Sequence, residues 1–346
     1  MVPATTELPL IAIMIGDPAG VGPEVCVKAL ASSTSTGHGD GNSKDELGSL
    51  CRPVLIGDIG VLKRAMAVAK VSLPLRVVAT LEELLTDENC VRVLDPGGFD
   101  VSACAFGLAS VASGHAVLDW TALGTALGES GAIQGLVMAP MDSESIKLTG
   151  RIKHIDDLQP PGTFMFRMSG ALRVVPLSEH LPLFDAIAMV KPGAVLELIE
   201  VLNKNLCRWG LPQPRIAVAG INPHAMFAQD QQQIGPAIKQ AQQQGVDVSG
   251  PISPDSVFRL AIEGKYDAVV TMYHDQGQIA LKTSNFEGAC TVYLGLPYIM
   301  LNVPHGSAFD IAGTGIAQHE SMLAAITTAA RMASGQGIFE QAGGGD

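Results

Sequence analysis

One unit recurs along this chain: a short apolar run that stops at glycine, proline or a polar cluster and gives way to a helical segment. Leu10 to Ile15 is apolar and ends in Gly16-Asp17-Pro18-Ala19-Gly20-Val21-Gly22-Pro23-Glu24, after which Val25 to Ala31 has helical character. Strand, glycine loop and helix in that order are the grammar of an α/β layer. Pro53 to Gly57, Leu75 to Ala79, Val91 to Leu94, Gly135 to Ala139, Arg215 to Ala219, Tyr266 to Met272, Thr291 to Leu294 and Ile299 to Val303 continue the strands. Thr163 to Met168 and Ala171 to Pro176 read as two β segments meeting at Gly170. Helical spacing marks Val61 to Ala69, Phe106 to Leu127, Pro192 to Trp209, Ile234 to Gln244 and Gln318 to Ala333. The glycines after Leu10 to Ile15 lack the GxGxxG spacing of a dinucleotide fingerprint, so that loop is either a tight turn seating a helix or a loop that also faces a cleft. Ser32 to Ser49 carries no apolar period and reads as a flexible surface insertion, and Gly150 to Pro161 reads as a loop.

A chain of 346 residues is long enough for two lobes sharing a cleft. The expected division is 1–140 with 305–346 as one domain and 141–304 as the other. The net charge of -12, with no basic run, argues against a nucleic-acid partner, because phosphate contacts need clustered Lys and Arg. Cys26, Cys51, Cys90, Cys104, Cys207 and Cys290 show no CxxC pair, which fits free thiols in a reducing compartment. Leu8 to Ile15 runs straight into Gly16-Asp17-Pro18 without a basic segment before it, so it reads as a strand and not a signal peptide. No stretch reaches the roughly 18 apolar residues of a membrane span. The expected location is the cytoplasm.

Candidate chemistry concentrates between Tyr273 and Gly313. Tyr273-His274-Asp275-Gln276-Gly277 opens this stretch, Lys282 follows, and His305-Gly306-Ser307-Ala308-Phe309-Asp310-Ile311-Ala312-Gly313 closes it. His180, His224 and His274 each follow a strand, where a parallel sheet presents residues to its crevice. One such histidine alone is more readily a hydrogen-bonded loop residue; three together favour a divalent cation with coordination positions left open. Lys282 is either a partner for a substrate carboxylate or a solvated lysine. Asp255 is either a helix N-cap or a cleft carboxylate, and Asp310 either starts a helix or meets a ribose hydroxyl.

From Gly16-Asp17-Pro18-Ala19-Gly20-Val21-Gly22-Pro23-Glu24 through Asn222-Pro223-His224-Ala225 and Tyr273-His274-Asp275-Gln276-Gly277 to His305-Gly306-Ser307-Ala308, the chain resembles the 4-hydroxythreonine-4-phosphate dehydrogenase (PdxA) family. The last motif is also similar to the adenosine-binding loop of isocitrate and isopropylmalate dehydrogenases. This resemblance implies a two-domain α/β/α fold with a mixed, mostly parallel sheet. It further implies a homodimer with active sites at the subunit interface, each metal (Zn, Mg, Co or Mn) held by histidines of both subunits. His180, His224 and His274 fall on those positions. His305, Gly306, Ser307, Ala308, Asp310 and Asn222 fall where NAD or NADP would bind, and the catalytic base lies among Lys282, Asp275 and Asp255. The implied reaction is oxidation of a secondary alcohol β to a carboxylate, followed by loss of carbon dioxide.

Departures from the family pattern bear on the substrate. A Gly-His-Thr-Glu segment is replaced by His154-Ile155-Asp156-Asp157, and an Asn-Lys pair by Asp142-Ser143. Counting forward from Lys282, a substrate-binding Asn falls on Thr291 and an Arg on Met300. Carboxylates at Asp156 and Asp157 repel a phosphate, and a thioether cannot clamp an anion. The expectation is therefore a hydroxy acid without a phosphate, such as an aromatic cis-dihydrodiol carboxylate of the terephthalate type. The alternatives are 4-hydroxythreonine-4-phosphate or a related four-carbon acid-sugar phosphate, and, from another class, a non-catalytic nucleotide-binding member.

Overall fold

The computed structural model describes residues 8–34, 46–85, 90–153, 155–284, 290–303 and 305–338. Two compact units emerge, one made of residues 1–159 and 296–346, the other of 160–295. The expected boundaries were 140/141 and 304/305. The difference arises because the helix Ser143–Leu148 packs on the helix Val111–Glu129 and the strand Ile299–Asn302 pairs with Gly135–Met138, which keeps all four in the first unit.

Among the described residues, the first unit is built on six parallel strands. Its strands are β1 (Leu10–Met14), β2 (Arg52–Ile56), β3 (Leu75–Val78), β4 (Val91–Leu94), β5 (Gly135–Met138) and, late in the chain, β12 (Ile299–Asn302), in the order β3-β4-β2-β1-β5-β12. Buried on both faces, β1 reads as an unbroken apolar run, as a central parallel strand must. Small residues let the helix Val111–Glu129 lie close: a Cβ on Gly114 would sit 2.0 Å from the Ser145 carbonyl oxygen, and one on Gly124 would meet Leu136.

The second unit contains β6 (Phe164–Ser169), β7 (Leu172–Pro176), β8 (Ile216–Ala219), β9 (Val248–Ile252), β10 (Ala268–Thr271) and β11 (Cys290–Leu294), in the order β11-β6-β7-β10-β8-β9. Here β11-β6 and β6-β7 are antiparallel and the rest parallel, so the α/β fold is mixed and mostly parallel, as expected. The amphipathic helix Pro192–Arg208 buries Val195, Leu198, Ile199, Leu202 and Leu206, the 3.6-residue period of one face.

Several local expectations need correction. The insertion read over Ser32 to Ser49 falls mostly outside the described residues, and its flanks are helical, at Gly22–Thr34 and Glu46–Leu50. Within the loop read from Gly150 to Pro161, Ile155–Leu158 forms a 3-10 turn. The strand β9 went unread because its Gly250-Pro251 pair interrupts the apolar pattern. All six cysteines are free, four of them buried. Among the described residues no helix is long and apolar enough to cross a membrane.

Candidate active site

Because β7, β10 and β8 are adjacent and parallel, their C-terminal ends open on one edge, and His180, His274 and His224 follow those ends. Hydrogen bonds lock these exits together. The Leu177 N–H donates to the Thr271 carbonyl at 2.8 Å and the Ser178 hydroxyl to that of Met272 at 3.3 Å. Gln276 accepts from the Met272 N–H at 2.7 Å and donates to the Gly220 carbonyl at 2.7 Å, joining the His274 turn to the His224 turn.

His180 and His274 come together, with ring centroids 4.8 Å apart. Among the described residues the group suited to a metal ion is Glu179, His180 and His274, whose ligand atoms all lie within 4.8 Å of one another. Ligands of one transition-metal ion stand about 3–4 Å apart, so small side-chain shifts would close this group on a cation. Nδ1 of His274 lies 2.7 Å from Oδ1 of Asp275. A carboxylate there holds the proton on Nδ1 and leaves Nε2 as a lone-pair donor, which is how metal-binding histidines are commonly oriented. The residues fit a divalent ion. Glu179, in contrast, commits both carboxylate oxygens to the Arg167 guanidinium at 2.8 and 2.7 Å.

His224 is not a member of that group in its own chain. It occupies the left-handed region at φ 57, as does Ala225 at φ 51, a costly backbone for side chains with a Cβ. Buried Asp230 holds this turn, accepting from the N–H groups of Ile221 (2.7 Å), Asn222 (3.2 Å) and Phe227 (3.3 Å) and from Nδ2 of Asn222 (3.0 Å). The Asn222 amide, expected at a cofactor, is thus engaged within its own loop. Asp255, at the end of neighbouring β9, is exposed and is not a helix cap; the Ser253 hydroxyl donates to it and, with the nearby His224 imidazole, holds its carboxyl below the usual range.

Lys282 lies on the helix His274–Ser284, exposed, about 12 Å along the axis from His274 at 1.5 Å per residue. Thr291 is half-buried on β11. Met300 is 1% exposed in the core of the first unit, its sulfur facing the Tyr298 hydroxyl at 3.7 Å. Asp157 accepts the Lys153 N–H at 2.8 Å, and half-buried Asp156 stands beside it in the same turn.

In the first unit the loop His305–Asp310 interlocks with the glycine loop after β1. The Val21 N–H donates to the Ser307 carbonyl at 2.9 Å, and Gly20 lies so close that a Cβ there would stand 2.8 Å from that same oxygen. Ala308 is left-handed at φ 43, His305 faces the Gly306 carbonyl at 3.4 Å, and Asp310 sits on an exposed turn where no helix begins. Glu24 accepts from the Ala317 N–H at 3.0 Å and from Lys28, which also donates to the carbonyls of Gly315 and Ala317. Arg64 donates to the carbonyls of Pro18 and Cys104 and stacks over Phe106 at 4.2 Å.

A mostly parallel sheet with paired histidines at its strand ends and an interlocked glycine loop defines an α/β protein with a candidate metal site. The chain belongs to the PdxA family: residues 49–329 match the model of the pyridoxal phosphate biosynthetic protein PdxA. A Novosphingobium aromaticivorans protein named for the 4-hydroxythreonine-4-phosphate dehydrogenases is 40% identical over 96% of this chain and 97% of its own. A Symbiobacterium thermophilum protein named for the D-threonate 4-phosphate dehydrogenases is 37% identical, over 94% and 97%. The crystal structure of a 4-hydroxythreonine-4-phosphate dehydrogenase from Burkholderia phymatum superposes with a TM-score of 0.78 at 34% identity, covering 94% of this chain and 99% of that one. A terephthalate 1,2-cis-dihydrodiol dehydrogenase from Burkholderia xenovorans shares the fold, with a TM-score of 0.67 at 24% identity over 96% and 99%. As a member of this family the chain is an oxidoreductase acting on CH–OH groups.

Proposed function

We propose that this chain oxidises the secondary alcohol of a phosphorylated four-carbon hydroxy acid, of the 4-hydroxythreonine-phosphate or threonate-phosphate type, with NAD or NADP as acceptor, and that carbon dioxide is then lost from the resulting β-keto acid. The carrying observation is the His180–His274 pair, oriented by Asp275, in a chain 40% identical along nearly its full length to a relative named for that chemistry. Two of the residues that spoke against a phosphate are placed by the fold where they do not meet one. Met300 is in the core, where its thioether says nothing about an anion, and Asp157 is occupied by the Lys153 N–H. The dihydrodiol carboxylate becomes the second reading.

His180 and His274, with His224 of a second copy, would hold the cation, which on binding supplies Lewis acidity toward a substrate oxygen. Asp275 keeps His274 in the tautomer that binds. Lys282 offers an ammonium to the substrate's anionic end, and His305 to Asp310 with the Gly16 to Glu24 loop forms the nucleotide cradle. The carbinol proton passes to a base among Asp275, Lys282 and Asp255.

The test is formation of reduced nicotinamide, with added divalent cation, on 4-phosphohydroxy-threonine, threonate 4-phosphate and an aromatic cis-dihydrodiol carboxylate side by side. Turnover of either phosphorylated acid supports the proposal. Turnover of the diol alone overturns it, and silence on all three with no metal retained by the purified protein would favour the non-catalytic reading.

A further inference from the structure

Glu179 and His180 are consecutive, and in an extended strand their side chains would point to opposite faces. Here the Leu181 N–H donates to the Glu179 carbonyl at 2.7 Å, a turn tight enough to bend the chain at His180. The bonds from Leu177 and Ser178 to the exit of β10 bring His274 to the same place, and donor atoms of all three side chains lie within 4.8 Å of one another. Glu179 is 15% exposed and is held by Arg167, which reaches it from β6. The guanidinium is itself anchored, donating to the Met165 carbonyl at 3.4 Å and facing the Met165 sulfur at 3.1 Å. Each carboxylate oxygen carries two lone pairs, and the two bonds from Arg167 take one on each. The second lone pair on each oxygen is left for another acceptor role.

We propose that Glu179, while gripped by Arg167, is itself a metal ligand beside His180 and His274, and that it tilts the site toward six-coordinate, oxygen-preferring divalent ions such as Mn and Mg. This rests on the reading of the histidine pair as a cation site. Charge carries the argument. Two imidazoles bring no charge, and a dication seated near the Arg167 guanidinium would be repelled by it. The Glu179 carboxylate, bonded to that guanidinium and within reach of both imidazoles, offsets the repulsion. Arg167 then acts as the outer hydrogen-bond partner that keeps a ligating carboxylate in place. Asp275 does not serve instead: it is 71% exposed and bonded to Nδ1 of His274. With His224 of a second copy the protein donors number four. Four donors fill a tetrahedral ion but leave two positions open on a six-coordinate one, enough for a substrate that binds through two oxygens. Carboxylate oxygen also suits Mn and Mg, whereas imidazole suits Zn.

The experiment is titration calorimetry with Mn and with Zn on the full chain, Glu179→Gln and His274→Ala, together with the visible absorption of parent and Glu179→Gln saturated with Co. Glutamine keeps the length of the side chain and an acceptor for Arg167 but removes the charge. The expected result is a fall in Mn affinity of about 100-fold, the upper end of what loss of a mere outer partner costs. Zn affinity should fall less, and the cobalt spectrum should change even at full loading, which a purely structural role would not cause. Should Glu179→Gln fail to fold, Arg167→Met combined with Glu179→Gln removes the stranded guanidinium and carries the same expectation. A fall of about 10-fold or less, alike for both ions and with the cobalt spectrum unchanged, would overturn the proposal and leave Glu179 outside the coordination sphere. Loss of binding in His274→Ala alone would likewise strike Glu179 and spare the histidine pair. A parent that binds neither ion would sink the cation site and this ligand with it.

Discussion

Arg167 grips Glu179 through both terminal nitrogens, at 2.8 and 2.7 Å, one residue before His180. The two side chains are 9% and 15% exposed, so the pair is largely dry and its fork fixes the direction in which the chain leaves β7. A lysine cannot make the two parallel bonds. Arg167→Lys should therefore lower divalent-metal affinity by about 10-fold or more, as loss of outer partners of a metal site commonly does. Titration calorimetry with Zn or Mn checks this, and an unchanged affinity would detach Arg167 from the site. Arg167→Ala should also cost about 3–5 kcal/mol of stability, because it strands a buried carboxylate.

Asp230 carries the neighbouring turn in a similar way. Its carboxylate answers three backbone N–H groups and one amide, and these bonds hold His224 and Ala225 left-handed. Asp230→Ala should destabilise the chain by about 2–4 kcal/mol in denaturant unfolding, since buried donors lose their acceptor. Asp230→Asn should retain part of that loss. Equal loss in the two variants would show that neither the filled volume nor one remaining acceptor oxygen suffices and that the full carboxylate is needed, while no loss in either would detach Asp230 from the turn.

A pH dependence is expected at Asp267. Burial alone would lift its carboxyl; the Arg215 side chain and N–H, with the charges of Arg215 and Arg173, outweigh it and hold the carboxyl below its ordinary range. Bonds of 2.7, 3.0 and 2.8 Å from Arg215 make the pair. A depressed folded pKa gives stability that is present above the unfolded value of 3.8 and lost as pH falls through the folded value. Arg215 is half exposed, so solvent reduces the worth of the pair to about 1 kcal/mol. Asp267→Asn should thus melt lower than the parent at neutral pH and converge with it in acid; a gap that persists in strong acid would show that charge is not the cause.

Much of this architecture was legible in the sequence because parallel strands buried on both faces write themselves as apolar runs, as β1 and β5 do. Strand ends were legible too, and with them His180, His224 and His274. What sequence could not show was which of them meet. Spacing places all three alike, while the order β7-β10-β8 and the Asp230-held turn bring together only two within one chain. Arg167 and Arg64 were missed for a related reason: each acts through residues distant in sequence, and a lone polar residue on a strand or helix leaves no periodic trace. Gln276 lay inside the motif from Tyr273 to Gly277, but its bond to the distant Gly220 carbonyl is visible only in the fold. Met300, matched by counting, falls on β12, where Ile299, Met300 and Leu301 are all buried, so its side chain packs in the core.

His224 gives the last prediction. It stays outside the His180–His274 group of its own chain, and we propose that a second copy supplies it to complete a three-histidine site. His180→Ala and His224→Ala should then each be inactive and metal-poor alone. Mixed and re-equilibrated in equal amounts, they should form hybrid dimers in which one site joins the intact His180–His274 pair of the His224→Ala chain to the intact His224 of the other. Half the dimers are hybrids and half the sites of each hybrid are whole, so about a quarter of the parent's metal content and turnover should return. A site built within one chain would return neither, because every chain in the mixture lacks one of its own ligands. Recovery at about a quarter would therefore establish both the dimer and the shared cation, while no recovery, with hybrids shown by native mass measurement, would place His224 outside the metal site altogether or require its turn to swing onto the pair of its own subunit.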